Sequence, residues 1–253
     1  MLKISYKNAF FLFFLNVFLV TCSHAHEADI VTKILRKCSE FTKGQITPFG
    51  KQALPLKEEQ EIRKILKELS IEAEIPLYAM TNSTIAKFGH TNAFAFDGAL
   101  YFNPCFNETL SYEEKRFLVG HEAAHLEKEH SNKRVLMSVA ILSGGYAAHK
   151  LLSKYFWPKI KNDYLRHAAQ AASYVAEAIA SGLISTAHIR SQELEADRVS
   201  ALKGGIEGGV QFFDMFAVHY VNPSTYDSYI KRLFVTHPSP QERKAQLLKL
   251  KTN

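Results

Sequence analysis

Residues Ser111–His130, SYEEKRFLVGHEAAHLEKEH, decide the reading of this chain, because they place His121-Glu122-Ala123-Ala124-His125 inside one predicted helix. Ser111 followed three residues later by Glu114 is a capping box, which gives that helix a defined start. Counted from the cap, Phe117, Leu118, His121, Ala124 and His125 recur at three- and four-residue steps and gather on one face to be buried. The two imidazoles therefore point the same way, one turn apart. A helix presents two neutral nitrogen ligands to zinc in this way, with Glu122 turned aside to reach the attacking water. A histidine pair on a helix can also be a simple hydrogen-bonded surface pair, so the pentapeptide calls for a third ligand. Glu193-Leu194-Glu195-Ala196-Asp197 offers one: Glu193 and Asp197 lie four apart and share a face of a second helix. One carboxylate would complete the metal site and the other would orient a ligand histidine.

HEAAH at 121–125, then ELEAD at 193–197, then Thr236-His237-Pro238-Ser239-Pro240 near the end resemble the HtpX-like zinc metallopeptidases. That family also holds the Oma and CAAX-processing proteases and soluble periplasmic members such as BepA. Upstream, Asn92-Ala93-Phe94-Ala95-Phe96 is similar to the family's strand beside the active-site cleft, so the resemblance runs over roughly residues 55 to 250, in the family's order. It implies an α+β, mainly α-helical fold: a gluzincin-type metalloprotease domain with a small antiparallel sheet beside the HExxH helix. It implies one zinc ion held by His121, His125 and Glu193, with Glu122 as the base and Asp197 fixing a ligand imidazole. Glu195 is expected to face elsewhere on the helix. His237 has two readings, an oxyanion donor beside the cleft or a structural residue that pins the last helix. His90, His130, His149, His167, His188 and His219 read as surface or packing residues.

Residues 1–25 read as a targeting segment, with Lys3 and Lys7 at a basic end, an apolar run from Ala9 to Val20, and Ser23-His24-Ala25 at the cleavage positions. The expectation is an exported, periplasmic protein; the alternatives are retention of that segment as an anchor or lipidation at Cys22. Its removal takes away two lysines and no acid, leaving 29 basic against 25 acidic side chains. With the two signs interleaved and no basic block joined to aromatics, nothing supports a nucleic-acid partner. Residues 26–253 are expected to form a single catalytic domain. Cys38 and Cys105 form an even pair that an oxidising compartment would allow to join.

Ile30, Val31, Ile34 and Leu35 suggest a short helix before Cys38, and 40–56 reads as a loop. Leu56–Leu69 is an amphipathic helix. Short aromatic-rich runs at Leu77–Met80, Ala86–Phe88, Asn92–Phe96 and Leu100–Asn103 predict a small, mostly antiparallel sheet. Asn92, Ala93, Phe94 and Ala95 would border the cleft and pair with an extended polypeptide substrate by strand addition; alternatively Phe94 and Phe96 only fill the core. Between the metal-binding helices, residues 131–190 form a helical insert. Its apolar runs Val135–His149 and Ala168–Ala187 flank a cationic stretch with Lys150, Lys154, Lys159, Lys161 and Arg166. Helices packed around the catalytic core fit their length and polarity best, and a membrane hairpin or an exposed lid are the alternatives. Helices are also expected over Val210–Tyr220 and Gln241–Lys251.

Together these residues point to a zinc metalloendopeptidase acting on unfolded or misfolded envelope proteins. A chaperone-like protein with a latent or structural metal site is the alternative from another class, and a zinc hydrolase of non-peptide bonds is a third. Oligomeric state is not written in the sequence.

Overall fold

The computed structural model describes residues 51–71, 74–81, 93–103, 108–219 and 235–252. The expected targeting segment at 1–25, the helix expected before Cys38, the strand expected at Ala86–Phe88, Asn92, and both Cys38 and Cys105 lie outside the described residues. The chain groups into two compact units, one of Met1–Lys51, Met80–Thr91 and Val139–Tyr174, the other of Gln52–Ala79, Asn92–Ser138 and Val175–Asn253.

The second unit opens with helix α1, Leu56–Glu68, which starts after Pro55 with Glu58 and Glu59 in its first turn and ends with Lys67 in its last. Those charges complement the helix dipole. Its apolar side buries Ile62, Ile65 and Leu66, each contributing roughly 1.5–3 kcal/mol of apolar burial. Strands β1 (Leu77–Ala79), β2 (Ala93–Phe96) and β3 (Ala99–Phe102) follow, in spatial order β1-β3-β2. The sheet is mixed, which corrects the antiparallel expectation. β2 and β3 form an antiparallel hairpin with Phe96 opposite Ala99, whereas β3 runs parallel to β1 with Leu100 opposite Leu77. The hairpin loop is Asp97-Gly98, both at positive φ (48° and 73°); this two-residue turn matches the strand twist and favours Asp-Gly. The chain returns through β2 before β3 takes the centre, and that order leaves β1 and β3 parallel. Every residue of β3 is buried, as a central strand requires.

Helix α2, Tyr112–Glu127, carries the predicted capping box: Glu114 N–H donates to Ser111 Oγ (3.4 Å) and Ser111 N–H to Glu114 Oε2 (2.8 Å). Its burial goes beyond the single face expected, since all eight residues from Phe117 to Ala124 are buried. Packing on several sides explains this, because α2 lies against α1, β2, β3 and a later helix, α5 (Ile206–His219). That approach is close: a Cβ on Gly208 would run into the Glu113 carbonyl oxygen. The Phe117 ring packs edge-on to Phe213 at 5.5 Å and tilted to Phe212 at 5.8 Å.

Helix α3, His130–Tyr155, follows α2 after a break in which Glu129 takes φ 52°. Helix α4, Asp163–Gly204, is 42 residues long and ends at Gly205 with φ 98°. Its buried residues Glu193, Ala196, Asp197, Ser200, Ala201 and Gly204 recur at three- and four-residue steps, one face of a helix. Helix α6, Pro240–Lys249, opens on a second capping box between Ser239 and Glu242 and packs on α5.

Val139–Tyr174, in the first unit, differs from the expected packed helices. Leu151, Tyr155, Phe156, Tyr164 and Leu165 are 50% exposed or more. Within this unit the His149 and Tyr174 rings stack at 5.1 Å. Among the described residues one helical stretch, His130–Lys159, is long and apolar enough to cross a membrane, and the apolar window in it is wholly unburied. The second half of the imagined hairpin does not pass that test, since Gln170 and Glu177 interrupt its apolar run.

Candidate metal centre

The site lies wholly in the second unit and begins with the spacing on α2. One turn apart, His121 and His125 bring their Nε2 atoms to 3.2 Å. Glu193, on α4, completes a triangle: Oε2 is 3.5 Å from His121 Nε2 and Oε1 is 3.6 Å from His125 Nε2. All three side chains are buried, and their ligand atoms lie within 4.8 Å of one another. The approach of α4 to α2 that makes this possible depends on Gly120, whose Cβ would sit 2.6 Å from Ser200 Oγ. Ser200 uses that space to donate to the Phe117 carbonyl at 2.6 Å.

Asp197, one turn after Glu193, accepts from His121 Nδ1 at 2.9 Å, which leaves Nε2 of His121 facing the triangle. A carboxylate at that nitrogen can fix the tautomer and orientation of the ring. Glu122, between the ligands in sequence, is buried and accepts from the Ala95 backbone N–H on β2. In a two-residue hairpin Phe96 and Ala99 form the hydrogen-bonded pair, so Ala95 turns its N–H away from β3 toward the outer edge. Ala93 and Phe94 share that edge strand. Neither aromatic ring of β2 is fully buried, and Phe94 stacks on Tyr101 at 4.7 Å. His237 brings Nδ1 to 3.1 Å from Glu193 Oε2 and is about half exposed at 46%. The α6 cap belongs to Ser239, not to His237.

Sequence reasoning missed three side chains. Arg243, on α6, binds Asp197 through two nitrogens at 2.7 and 2.5 Å and packs over the Phe213 ring at 4.5 Å. Arg134 donates to Gln192 at 2.6 Å and to Glu193 Oε1 at 3.2 Å. His130 is 1% exposed and touches His125, not solvent. The one sequence signal for Arg243 is its position one turn into the helix that THPSP begins. Glu195, expected to face away, lies 3.2 Å from His130 Nε2. Its phase on α4 is indeed different from that of Glu193, but α3 stands there to receive it.

Charge decides what this cluster can hold. Three carboxyl groups, Glu122, Glu193 and Asp197, are buried beside the partly buried guanidinium of Arg243, with the more exposed guanidinium of Arg134 also on Glu193. Burial pushes the Glu122 carboxyl above its ordinary range. Burial acts the same way on Glu193 and Asp197, yet hydrogen bonds from His121 and His237 hold Glu193 well below that range, and Arg243 holds Asp197 below it. Burial lowers His125 to about 2, which favours its neutral imidazole. For His121 burial is outweighed by hydrogen bonds to Asp197 and Glu193, which raise it to about 9. The carboxylates therefore demand positive charge, and two neutral-capable imidazoles with a carboxylate are a donor set that fits zinc. A linkage follows for metal-stripped protein. A histidine raised from 6.5 to about 9 contributes stability fully below pH 6.5 and loses it as pH rises toward 9. Urea unfolding of the stripped chain is expected to show lower stability at pH 9 than at pH 6.5, and zinc-loaded protein to lack that loss.

An HExxH helix beside a short sheet, with a carboxylate from a second helix closing the site, defines a metallopeptidase. The chain belongs to Peptidase family M48, the HtpX-like zinc metallopeptidases, whose family model matches residues 56–251. No curated protein and no solved structure gives a significant match.

Proposed function

We propose that this protein is a zinc-dependent metalloendopeptidase of the gluzincin type that cleaves unfolded or flexible polypeptides in the cell envelope, in protein quality control. The observation that carries the reading is the triangle of His121, His125 and Glu193 with the buried carboxyl of Glu122 beside it. A zinc ion held by these three residues would supply a Lewis acid for the scissile carbonyl and lower the pKa of water to about 7. Glu122, made more basic by burial, takes the proton of the attacking water and returns it to the departing amine. Asp197 keeps the proton of His121 on Nδ1, so that Nε2 is free to ligate. His237, half exposed and 3.1 Å from Glu193, would donate to the developing oxyanion.

Substrate preference follows from β2. It is an edge strand among the described residues, and its outer side adjoins Glu122. Backbone pairing along Ala93, Phe94 and Ala95 selects extended chains over particular side chains. Export is supported by the composition of residues 1–25, and contact with a membrane by the exposed apolar stretch within His130–Lys159.

The test is to purify the chain, measure bound metal, and follow unfolded casein with and without a chelator. One zinc per chain and internal cleavage that the chelator abolishes are expected. Cleavage that survives metal removal, or a chain that binds no zinc, would overturn the reading.

A further inference from the structure

Both ligand histidines have their second ring nitrogen engaged, but by different means. His121 Nδ1 meets Asp197 directly. Among the described residues His125 Nδ1 meets no carboxylate; it lies 2.8 Å from Nδ1 of His130. His130 in turn has Nε2 3.2 Å from Glu195 Oε2. The rings of His125 and His130 stand nearly edge to face, at 4.8 Å and 74°, a geometry that suits a hydrogen bond between nitrogens.

The protons in this chain of contacts can be placed by elimination. Nε2 of His125 faces the ligand triangle, so when it ligates a metal it carries no proton and the ring's one N–H is at Nδ1. That N–H must donate, and the atom facing it is His130 Nδ1, which must accept. His130 is then protonated at Nε2, and Nε2 faces the Glu195 carboxylate. Each donor meets one acceptor, and both imidazoles remain neutral. Burial favours the neutral form of both rings.

Two further features hold His130 there. Glu129 adopts φ 52°, a conformation uncommon for a non-glycine residue, and it turns the chain so that the first residue of α3 comes back against α2. The His130 carbonyl accepts from Gln192 on α4 at 3.4 Å, and the ring is 1% exposed.

We propose that His130 and Glu195 are positioning residues that orient His125 and set the metal affinity of the site, acting as a carboxylate–histidine–histidine relay. The inference rests on the metallopeptidase reading of the triangle and names what tunes it. It makes the two histidine ligands unequal: one is held by a buried aspartate, the other by an imidazole whose carboxylate partner is 45% exposed.

The experiment uses full-length zinc-loaded protein and variants His130→Asn, His130→Leu and Glu195→Ala. Zinc affinity is read by competition with a chromophoric chelator, ligand geometry by the visible spectrum of the cobalt-substituted protein, and folding by circular dichroism. Leu fills the space without an acceptor, whereas the Asn side-chain oxygen can take the place of His130 Nδ1. His130→Leu is expected to weaken zinc about 10- to 100-fold and alter the cobalt spectrum; His130→Asn is expected to recover most of both. Glu195→Ala, at a half-exposed side chain, is expected to keep the native circular dichroism, to weaken zinc in the native background and to have no further effect beside His130→Leu. Native affinity in His130→Leu, equal losses in Leu and Asn, or additive losses for the two sites would overturn the relay. Should His130→Leu fail to fold, Glu195→Ala decides alone, and native affinity there overturns the relay. A native chain that binds zinc but cleaves no polypeptide would defeat the proposed function while leaving the relay to be judged on affinity.

Discussion

Glu122→Gln is expected to bind zinc as the native chain does and to cleave unfolded casein about 10²- to 10⁴-fold more slowly, the range for removing a positioned general base. The substitution keeps the size of the side chain, and its amide oxygen can still accept from the Ala95 N–H, so the fold and the triangle are undisturbed. Only the capacity to take a proton is lost. Glu193→Ala supplies the contrast, because it removes a vertex of the triangle and should lose zinc and hydrolysis together. Metal analysis beside initial rates separates the two outcomes. Retained cleavage in Glu122→Gln would remove that residue from the role of base.

Arg243→Ala is expected to cost about 3–5 kcal/mol of stability, the range for breaking a buried ion pair by deleting one partner. Asp197 is 1% exposed and receives both guanidinium contacts, so truncation leaves its charge buried beside Glu193 with His121 alone to answer it. The same variant loses the guanidinium packed over Phe213. Arg243→Lys, which keeps the charge without the two-pronged geometry, should recover part of the loss. Acid behaviour gives the sign. A carboxyl held below its ordinary range contributes stability above its unfolded pKa of 3.8, lost as pH falls through the folded value. Without Arg243 the Asp197 pKa rises, so acid unfolding should begin at a higher pH. Urea titrations of native and variant protein at pH 7 and pH 4 measure both effects. A stability change within 1 kcal/mol of zero would mean that the Asp197 charge is answered elsewhere.

Some of this architecture was legible because its causes are local. Ser111 with Glu114 caps a helix through side chains three residues apart, and no distant contact is required. His121 and His125 face one another for the same reason, since four residues span one helical turn. The Asp97-Gly98 turn that specifies the β2–β3 hairpin was a local signal the sequence reading did not use, whereas the parallel pairing of β1 with β3 has no such signal.

Other features lay beyond reach. In one unbroken helix His130 would fall about 140° away from His125, so the reading of it as a surface or packing residue gives no hint of contact with a ligand histidine. The left-handed turn at Glu129 starts a new helix and brings the ring back. Glu195 does face away from the triangle, as its helical phase requires, but phase says which way a side chain points and not that His130 stands there. Apolar runs within 131–190 suggested burial, yet composition cannot state what covers a helix, and the side chains of Val139–Tyr174 are largely exposed.

By itself, then, the sequence determined the family, the HExxH pair with Glu122 between its histidines, and the carboxylate-bearing second helix, because each depends on spacing within a single helix. The tertiary structure alone decided that Arg243 clamps Asp197, that His237 reaches Glu193, and that His130 links His125 to Glu195. Those contacts join residues on different helices, where position depends on how whole elements pack and no periodicity in the chain records it.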